Sequence, residues 1–139
     1  MPKVSVDAKG RMSFPSKLRE ELGDKLVITK TIGAKCVSVY TPADWDSLVM
    51  KIKEKPQFQT ADIARFLFGD KQTIEPDKQG RFVIAPELRD YAEITADSEA
   101  MIIGLEGRAE IWSGANWAEK MKADNIQSNL MDTAVLLGL

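Results

Sequence analysis

The chain has 139 residues, of which 44% are hydrophobic and 29% charged, and this balance favours a single folded domain over a disordered chain. It has no histidine and one cysteine, Cys36, which excludes histidine-based catalytic triads, histidine-ligated metal sites and internal disulfides and leaves a buried structural thiol as our expectation. The net charge of −2 argues against a uniformly basic nucleic-acid-binding domain, although residues 1–89 carry a net charge of +4 and residues 90–139 one of −6.

The first predicted element is a β-hairpin near the N-terminus. Residues 3–7 and 11–14 alternate polar and apolar side chains, which is typical of half-buried strands. A three-residue hairpin loop ends in a left-handed residue, and Gly10 stands at that position, where glycine has no steric cost. After Pro15 we expect a short helix that ends at Gly23.

Two more strands and two helices complete the first half of the chain. Residues 25–31 and 36–40 are predicted strands. Thr41 then begins a helix, because threonine caps helix N-termini and the proline that follows is tolerated in the first turn. After a polar linker over residues 53–59, we expect residues 61–68 to form a helix whose apolar stripe faces the core.

The second half of the chain repeats the first. Residues 7–11 (Asp-Ala-Lys-Gly-Arg) recur as residues 77–81 (Asp-Lys-Gln-Gly-Arg) at an offset of 70, and residues 39–45 resemble residues 111–117 at an offset of 72. The elements predicted from this repeat are a hairpin over residues 72–84, a short helix from Pro86, strands over residues 100–105 and 108–112, and a helix from Ser113.

The repeat defines the expected domain organisation. We predict a first repeat in residues 1–55, a connecting helix in 56–70, a second repeat in 71–125 and a tail helix in 126–139. Because a four-strand unit is too small to bury both sheet faces, the repeats are expected to share one core, giving a mainly β (α+β) intramolecular pseudo-dimer with short helices. The apolar face of the tail around Leu130 fits packing either on its own domain or on a neighbouring protomer.

The repeated Asp-x-x-x-Arg motif has two interpretations. In the structural one, the aspartate accepts hydrogen bonds from the turn amides and pairs with the arginine. In the functional one, the turns present basic side chains to DNA, since a two-stranded ribbon fits the major groove, where lysine neutralises phosphates and arginine binds guanine. The basic residues concerned are Lys9, Arg11, Lys78 and Arg81.

Several segments closely resemble the MraZ family of bacterial transcriptional regulators, namely residues 7–15, 77–86, 103–105 and 110–112. The resemblance covers nearly the whole chain and implies a duplicated AbrB/SpoVT-like swapped-hairpin β-barrel whose protomers assemble into a ring-like homo-oligomer. It also implies that the partner is double-stranded DNA, bound at short direct repeats in the promoter of the division and cell-wall gene cluster. The protein would then be cytoplasmic and nucleoid-associated.

The same resemblance assigns roles to individual residues. The expected DNA-binding residues are the motif arginines Arg11 and Arg81, the neighbouring Lys9 and Lys78, and, as weaker candidates that could instead form interface salt bridges, Arg19 and Arg89. Their structural partners in the motif are Asp7, Gly10, Asp77 and Gly80. One departure concerns Pro15 and Pro86, which differ by 71 rather than 70, so the two short helices need not start alike.

Other classes of protein are less well supported by the sequence. No apolar run is long enough to cross a bilayer and the N-terminus lacks a signal-peptide core, so we expect no membrane partner. The absence of phosphate-binding glycine motifs and of Ser-x-x-Lys predicts that the chain is not an enzyme and has no catalytic residue, metal, cofactor or small-molecule substrate. The alternative is an antitoxin-like module of the AbrB fold that binds a protein through its acidic second half.

Overall fold

The computed structural model describes residues 3–139, so the first two residues of the predicted first repeat lie outside it. The first half contains β1 (Lys3–Val6), β2 (Arg11–Ser13), α1 (Ser16–Leu22), β3 (Leu26–Lys30), β4 (Val37–Tyr40), α2 (Pro42–Lys53) and α3 (Gln57–Phe68). The second half has the same order, with β5 (Gln72–Ile74), β6 (Arg81–Val83), α4 (Pro86–Ala92), β7 (Ser98–Gly104), β8 (Ala109–Ser113), α5 (Gly114–Lys120) and α6 (Ala123–Leu137). The fold is a mixture of helices and antiparallel strands, as the α+β expectation states, but the helices contain more residues than the strands, so the fold is not mainly β.

The strands form two antiparallel sheets. Six strands make a sheet in the order β1-β7-β8-β4-β3-β5, and β2 and β6 make a separate two-stranded sheet. Among the described residues the larger sheet is open, with β1 and β5 at its edges, so the expected closed barrel is not observed.

Both predicted hairpins are turns whose strands pair elsewhere. The first turn is closed locally, since the Asp7 amide donates to the Arg11 carbonyl at 2.9 Å. Beyond it, however, β1 pairs with β7 and β2 with β6, while β5 pairs with β3. Turn chemistry and alternation are local signals, so they predicted the turns correctly and the partner of each strand wrongly.

The pairing between the two halves follows the sequence repeat. Met12 lies opposite Phe82, its own equivalent at an offset of 70, and Ser38 lies opposite Glu110, its equivalent at an offset of 72. The edge strands are exchanged between the halves instead, because Val4 of β1 pairs with Ala100 of β7, and Ile74 of β5, its equivalent at an offset of 70, pairs with Leu26 of β3. Each half therefore supplies strands to the other in matching register.

Residues from both halves form the main hydrophobic core. Buried side chains of the first half, including Met12 and Phe14, belong to the same cluster as Phe82, Ile84 and Leu88 of the second. The rings of Phe14 and Phe82 meet edge to face, with centroids 5.9 Å apart. Burying a side chain of this size stabilises a fold by about 1.5–3 kcal/mol, so the small β2–β6 sheet is held by the core beneath it.

The helix termini largely follow the local sequence signals. Thr41 caps α2, since its hydroxyl accepts a hydrogen bond from the Asp44 amide at 3.1 Å. Helix α3 begins at Gln57, earlier than predicted, because Pro56 precedes it and the polar residues after it are compatible with a helix. The two short helices start at Ser16 and Pro86, which are equivalent at an offset of 70, so they start alike although their prolines are offset by 71.

The predicted apolar stripe of α3 is only partly in the core. Leu67 is buried, whereas 36% of Ile63 is exposed. The C-terminal helix differs more, since none of the residues of α6 is buried and most of its apolar side chains face outward. Packing of the tail on its own domain is therefore not observed.

Cys36 is a buried thiol, as predicted. Its side chain lies in a small cluster with Met101 and Trp112, and burial raises its pKa to about 12. Within residues 3–139, no helix is long and apolar enough to cross a membrane, and no group of three or more acidic or cysteine side chains is placed to hold a metal ion.

Candidate nucleic-acid interface

The first turn is organised by the carboxylate of Asp7. One of its oxygens accepts hydrogen bonds from the amides of Lys9 and Arg11, at 2.9 and 2.8 Å. The other accepts from Nε of Arg11 at 2.7 Å. Gly10 closes the turn with φ of 80°, a left-handed conformation that favours glycine, and its amide donates to the Asp7 carbonyl at 3.0 Å.

The second turn has the same construction. Asp77 accepts hydrogen bonds from the amides of Gln79 and Arg81, both at 2.9 Å, and from Nε of Arg81 at 3.1 Å. Gly80 has φ of 81°, and its amide donates to the Asp77 carbonyl at 2.8 Å. Asp7 and Gly10 thus make the same set of hydrogen bonds in the first turn as Asp77 and Gly80 make in the second.

These hydrogen bonds affect the charge of each turn. The hydrogen bond from the Arg11 amide lowers the pKa of Asp7 below its ordinary value, and the hydrogen bond from the Arg11 guanidinium lowers it further. The Arg81 amide does the same for the pKa of Asp77. Both aspartates are therefore charged at neutral pH, and each holds its arginine through Nε only. The arginine side chains remain 44% and 49% exposed, so their terminal amino groups can reach a further acceptor.

Both motif arginines lie on one face of the β2–β6 sheet. In its ladder Arg11 lies opposite Val83 and Ser13 lies opposite Arg81. These four side chains are exposed, while Met12 and Phe82 between them point into the core. We call the four exposed residues the ribbon face. Two residues along a strand and one strand across place the two arginine Cα atoms roughly 8 Å apart.

The sequence did not reveal this arrangement. It predicted two separate ribbons, each with one arginine, because both turns were interpreted as local hairpins. Ser13 and Val83 were not recognised as candidate site residues, although they stand two positions after each arginine and so share its side of the strand.

The two turn lysines are exposed but are not equivalent. Lys9 comes directly before Gly10, whereas Lys78 lies two residues before Gly80. The repeat therefore matches Lys9 with Gln79 and Lys78 with Ala8. Each turn has one lysine, displayed at a different position.

Arg19 and Arg89 are not on the ribbon face. Both are partly buried, and each lies against the turn of the other half of the chain. The Arg89 guanidinium occupies the space in which a side chain on Gly10 would stand, and Nη1 of Arg19 is 3.5 Å from the Cβ position of Gly80. Arg19 also forms an ion pair with Asp24 at 3.2 Å.

Comparison with known proteins provides evidence of a different kind. A family model described as "MraZ protein, putative antitoxin-like" matches residues 2–65 and again residues 67–136. A transcriptional regulator MraZ of Acetivibrio thermocellus is 36% identical over 139 residues, covering 97% of this chain and 94% of the relative. The proteins of the same name from Caldicellulosiruptor bescii and Desulfitobacterium hafniense are 41% and 34% identical, covering 87% and 97% of this chain and 84% and 94% of the relatives.

Proposed function

The chain belongs to the MraZ family, and we propose that it is a transcriptional regulator that binds double-stranded promoter DNA through the ribbon face. The observation that carries this proposal is the presence of Arg11 and Arg81, both exposed, on the same side of one two-stranded sheet. Relatives that cover almost the whole chain are called transcriptional regulators, which supports the same function.

The ribbon face has dimensions and chemistry that suit B-DNA. A two-stranded ribbon fits the major groove, and the fork of an arginine matches the paired acceptors of guanine. The Asp7 carboxylate holds Nε of Arg11, so the guanidinium is partly oriented before DNA arrives and loses less conformational freedom on binding. Lys9 and Lys78 are exposed in the adjoining turns, and in our proposal their role is to neutralise phosphates.

The fold we propose is a duplicated, AbrB/SpoVT-like swapped-hairpin pseudo-dimer. The matched registers of β1 with β7 and of β5 with β3 support it, because each half donates an edge strand to the other. The two separate matches of the family model support it as well. On this basis residues 1–55 and 71–125 are the two repeats, residues 56–70 the connecting helix and residues 126–139 the tail helix.

The partner of α6 is, in our proposal, a neighbouring copy of the chain in a ring-like homo-oligomer. Val135 and Leu136 of this helix are 77% and 85% exposed, and a contiguous exposed apolar face of that kind is typical of a protein–protein contact. Several ribbon faces acting on one DNA segment would raise the local concentration and multiply counterion release. This multiplicity offsets the net charge of −2 of the single chain.

The target and location of binding follow from the family resemblance. They are short direct repeats in the promoter of the division and cell-wall gene cluster, with the protein in the cytoplasm at the nucleoid. The promoter fragment for the test is accordingly the region upstream of the protein's own gene.

The second candidate function is an antitoxin-like module that binds a protein partner. The outward apolar face of α6, together with the net charge of −6 in residues 90–139, favours it. Co-purification of a stoichiometric protein partner, with no binding to the upstream DNA, would support this function over the first.

Fluorescence anisotropy with labelled upstream DNA tests the main proposal. We expect Arg11→Ala and Arg81→Ala each to weaken binding about tenfold or more, since a bidentate arginine contact is worth roughly 1–3 kcal/mol. The matched control is Arg65→Ala, which removes an exposed arginine of α3 that is also paired with a nearby aspartate, Asp62. Equal affinity of the double variant and the unmodified protein would refute the assignment of the site.

A further inference from the structure

Arg19 and Arg89 occupy equivalent positions in the two halves of the chain. Arg19 is in α1 and Arg89 in α4, at an offset of 70. In both side chains Nε is buried and has no hydrogen-bond acceptor within residues 3–139. A buried donor without a partner costs about 1–3 kcal/mol, so a feature that occurs identically in both halves requires a compensating role.

The contacts of these arginines cross from one half to the other. Nη1, then Cζ and Nε of Arg89 are the atoms nearest to a Cβ placed on Gly10, so the Nη1 end of the guanidinium lies directly against the first turn. Around Gly80 the nearest side-chain atom is Nη1 of Arg19, at 3.5 Å from the Cβ position. A turn glycine in each half therefore faces an arginine from the opposite half.

We propose that Arg19 and Arg89 are positioning residues that act crosswise. Arg89 fixes the turn that carries Arg11, and Arg19 fixes the turn that carries Arg81. Each DNA-contacting arginine thereby depends on the half of the chain to which it does not belong. This inference rests on the proposed function for its effect on DNA, although the crosswise contact itself can be tested without DNA.

The alternative, in which Arg19 and Arg89 contact phosphates directly, fits the geometry less well. Their Nε atoms are buried, and Nη2 of Arg19 is engaged by Asp24. The side chain of Arg19 is 21% exposed, less than half the exposure of Arg11 and of Arg81. A phosphate at Arg19 would have to displace the ion pair with Asp24, and at either residue it could not reach the buried Nε.

The first experiment observes the turns by amide NMR of the ¹⁵N-labelled protein. Arg89→Lys keeps the charge and removes the planar guanidinium, and we expect it to shift the Gly10 amide and its neighbours while leaving Gly80 unchanged. Arg19→Lys should give the opposite pattern, and Arg65→Lys, the control, should shift neither glycine. Shifts confined to the turn of the same half would overturn the crosswise assignment.

The second experiment is a double-mutant cycle on DNA affinity. If Arg89 acts through Arg11, then Arg89→Lys should weaken DNA binding when Arg11 is present. The fold-loss of affinity should be about tenfold smaller when Arg11 has been replaced by alanine. The same lysine substitution should be additive with Arg81→Ala. Additivity with both would overturn the positioning role.

The salt dependence of Arg89→Ala, which unlike Arg89→Lys removes the charge, distinguishes positioning from direct phosphate contact. A plot of log affinity against log salt has a negative slope, and loss of a phosphate contact makes that slope shallower by about 1 on any DNA sequence. Loss of turn positioning should instead weaken binding to the specific repeat more than binding to random DNA. A uniform loss on both DNAs would identify Arg89 as a phosphate contact and overturn the inference. If Arg11→Ala and Arg81→Ala leave DNA binding intact, the proposed function fails, and the NMR pattern still decides the crosswise contact.

Discussion

Replacing Gly80 by alanine tests how tightly the end of the β2–β6 sheet is held. The residue has φ of 81°, which costs an alanine about 1–2 kcal/mol. Its new Cβ would also lie 2.9 Å from the carbonyl oxygen of Phe14, a backbone atom that cannot rotate away. Overpacking of this kind adds about 1–3 kcal/mol, so we expect Gly80→Ala to lower the free energy of unfolding by about 2–5 kcal/mol.

The matched control for this substitution is Gly107→Ala. Gly107 has a similar φ of 88°, but no atom lies within 4 Å of its Cβ position. It should therefore lose only the backbone part, about 1–2 kcal/mol. Urea unfolding followed by tryptophan fluorescence measures both values, and the three tryptophans of the chain provide the signal.

The comparison also bears on DNA binding. The Gly80 carbonyl accepts a hydrogen bond from the Phe14 amide at 2.7 Å, so displacing Phe14 loosens the end of the sheet next to Arg81. Gly80→Ala should bind the upstream DNA more weakly than Gly107→Ala does. Equal destabilisation by the two substitutions would show that Phe14 moves freely, and the argument for a rigid ribbon face would fail.

Three further predictions concern pH, assembly and sequence preference. Because folding lowers the pKa values of Asp7 and Asp77, the stability that their charged forms provide should be fully present above the ordinary aspartate pKa of 3.8 and be lost as the pH falls through the lowered values. In acid unfolding curves, Asp7→Asn should abolish the part of this pH-dependent loss of stability that comes from the first turn. Leu136→Glu should reduce the mass of the assembly in light scattering while the far-UV circular dichroism stays unchanged, and an unaltered mass would exclude α6 from the contact. On the ribbon face β6 has Val83 at the position where β2 has Ser13, and an apolar side chain can contact the methyl group of thymine. Replacing thymine by deoxyuridine in the DNA repeat should therefore weaken binding of the unmodified protein but not of Val83→Ser, and equal losses would show that Val83 does not contact a base.

Local features of the fold could be predicted from the sequence. Gly10 and Gly80 marked the turns, Thr41 marked the start of α2 and Gly23 the end of α1. These signals depend on the backbone conformation and capping hydrogen bonds of a few neighbouring residues, so they can be recognised without the tertiary structure. The repeat added the matching elements of the second half.

The pairing of β3 with β4 and of β7 with β8 follows the predicted hairpins, but the partners of β1, β2, β5 and β6 could not be predicted in the same way. Whether β2 pairs with β1 or with β6 depends on which residues the core brings together, and a strand of three or four residues has too little sequence to decide it. The ribbon face depends entirely on that pairing, since Arg11 and Arg81 share a surface only because β2 lies beside β6. The crosswise positions of Arg19 and Arg89 were hidden for the same reason.

Joining the two copies in one polypeptide allows their last helices to diverge. In the first half α3 lies over β3, where the Thr29 hydroxyl donates to the Leu67 carbonyl at 2.5 Å. In the second half α6 holds the same place in the element order and buries none of its residues. In a dimer of two separate, identical subunits, both helices would have the same sequence and could not change independently. In a chain that contains both halves, one helix can evolve to pack on the sheet while the other evolves to bind something else.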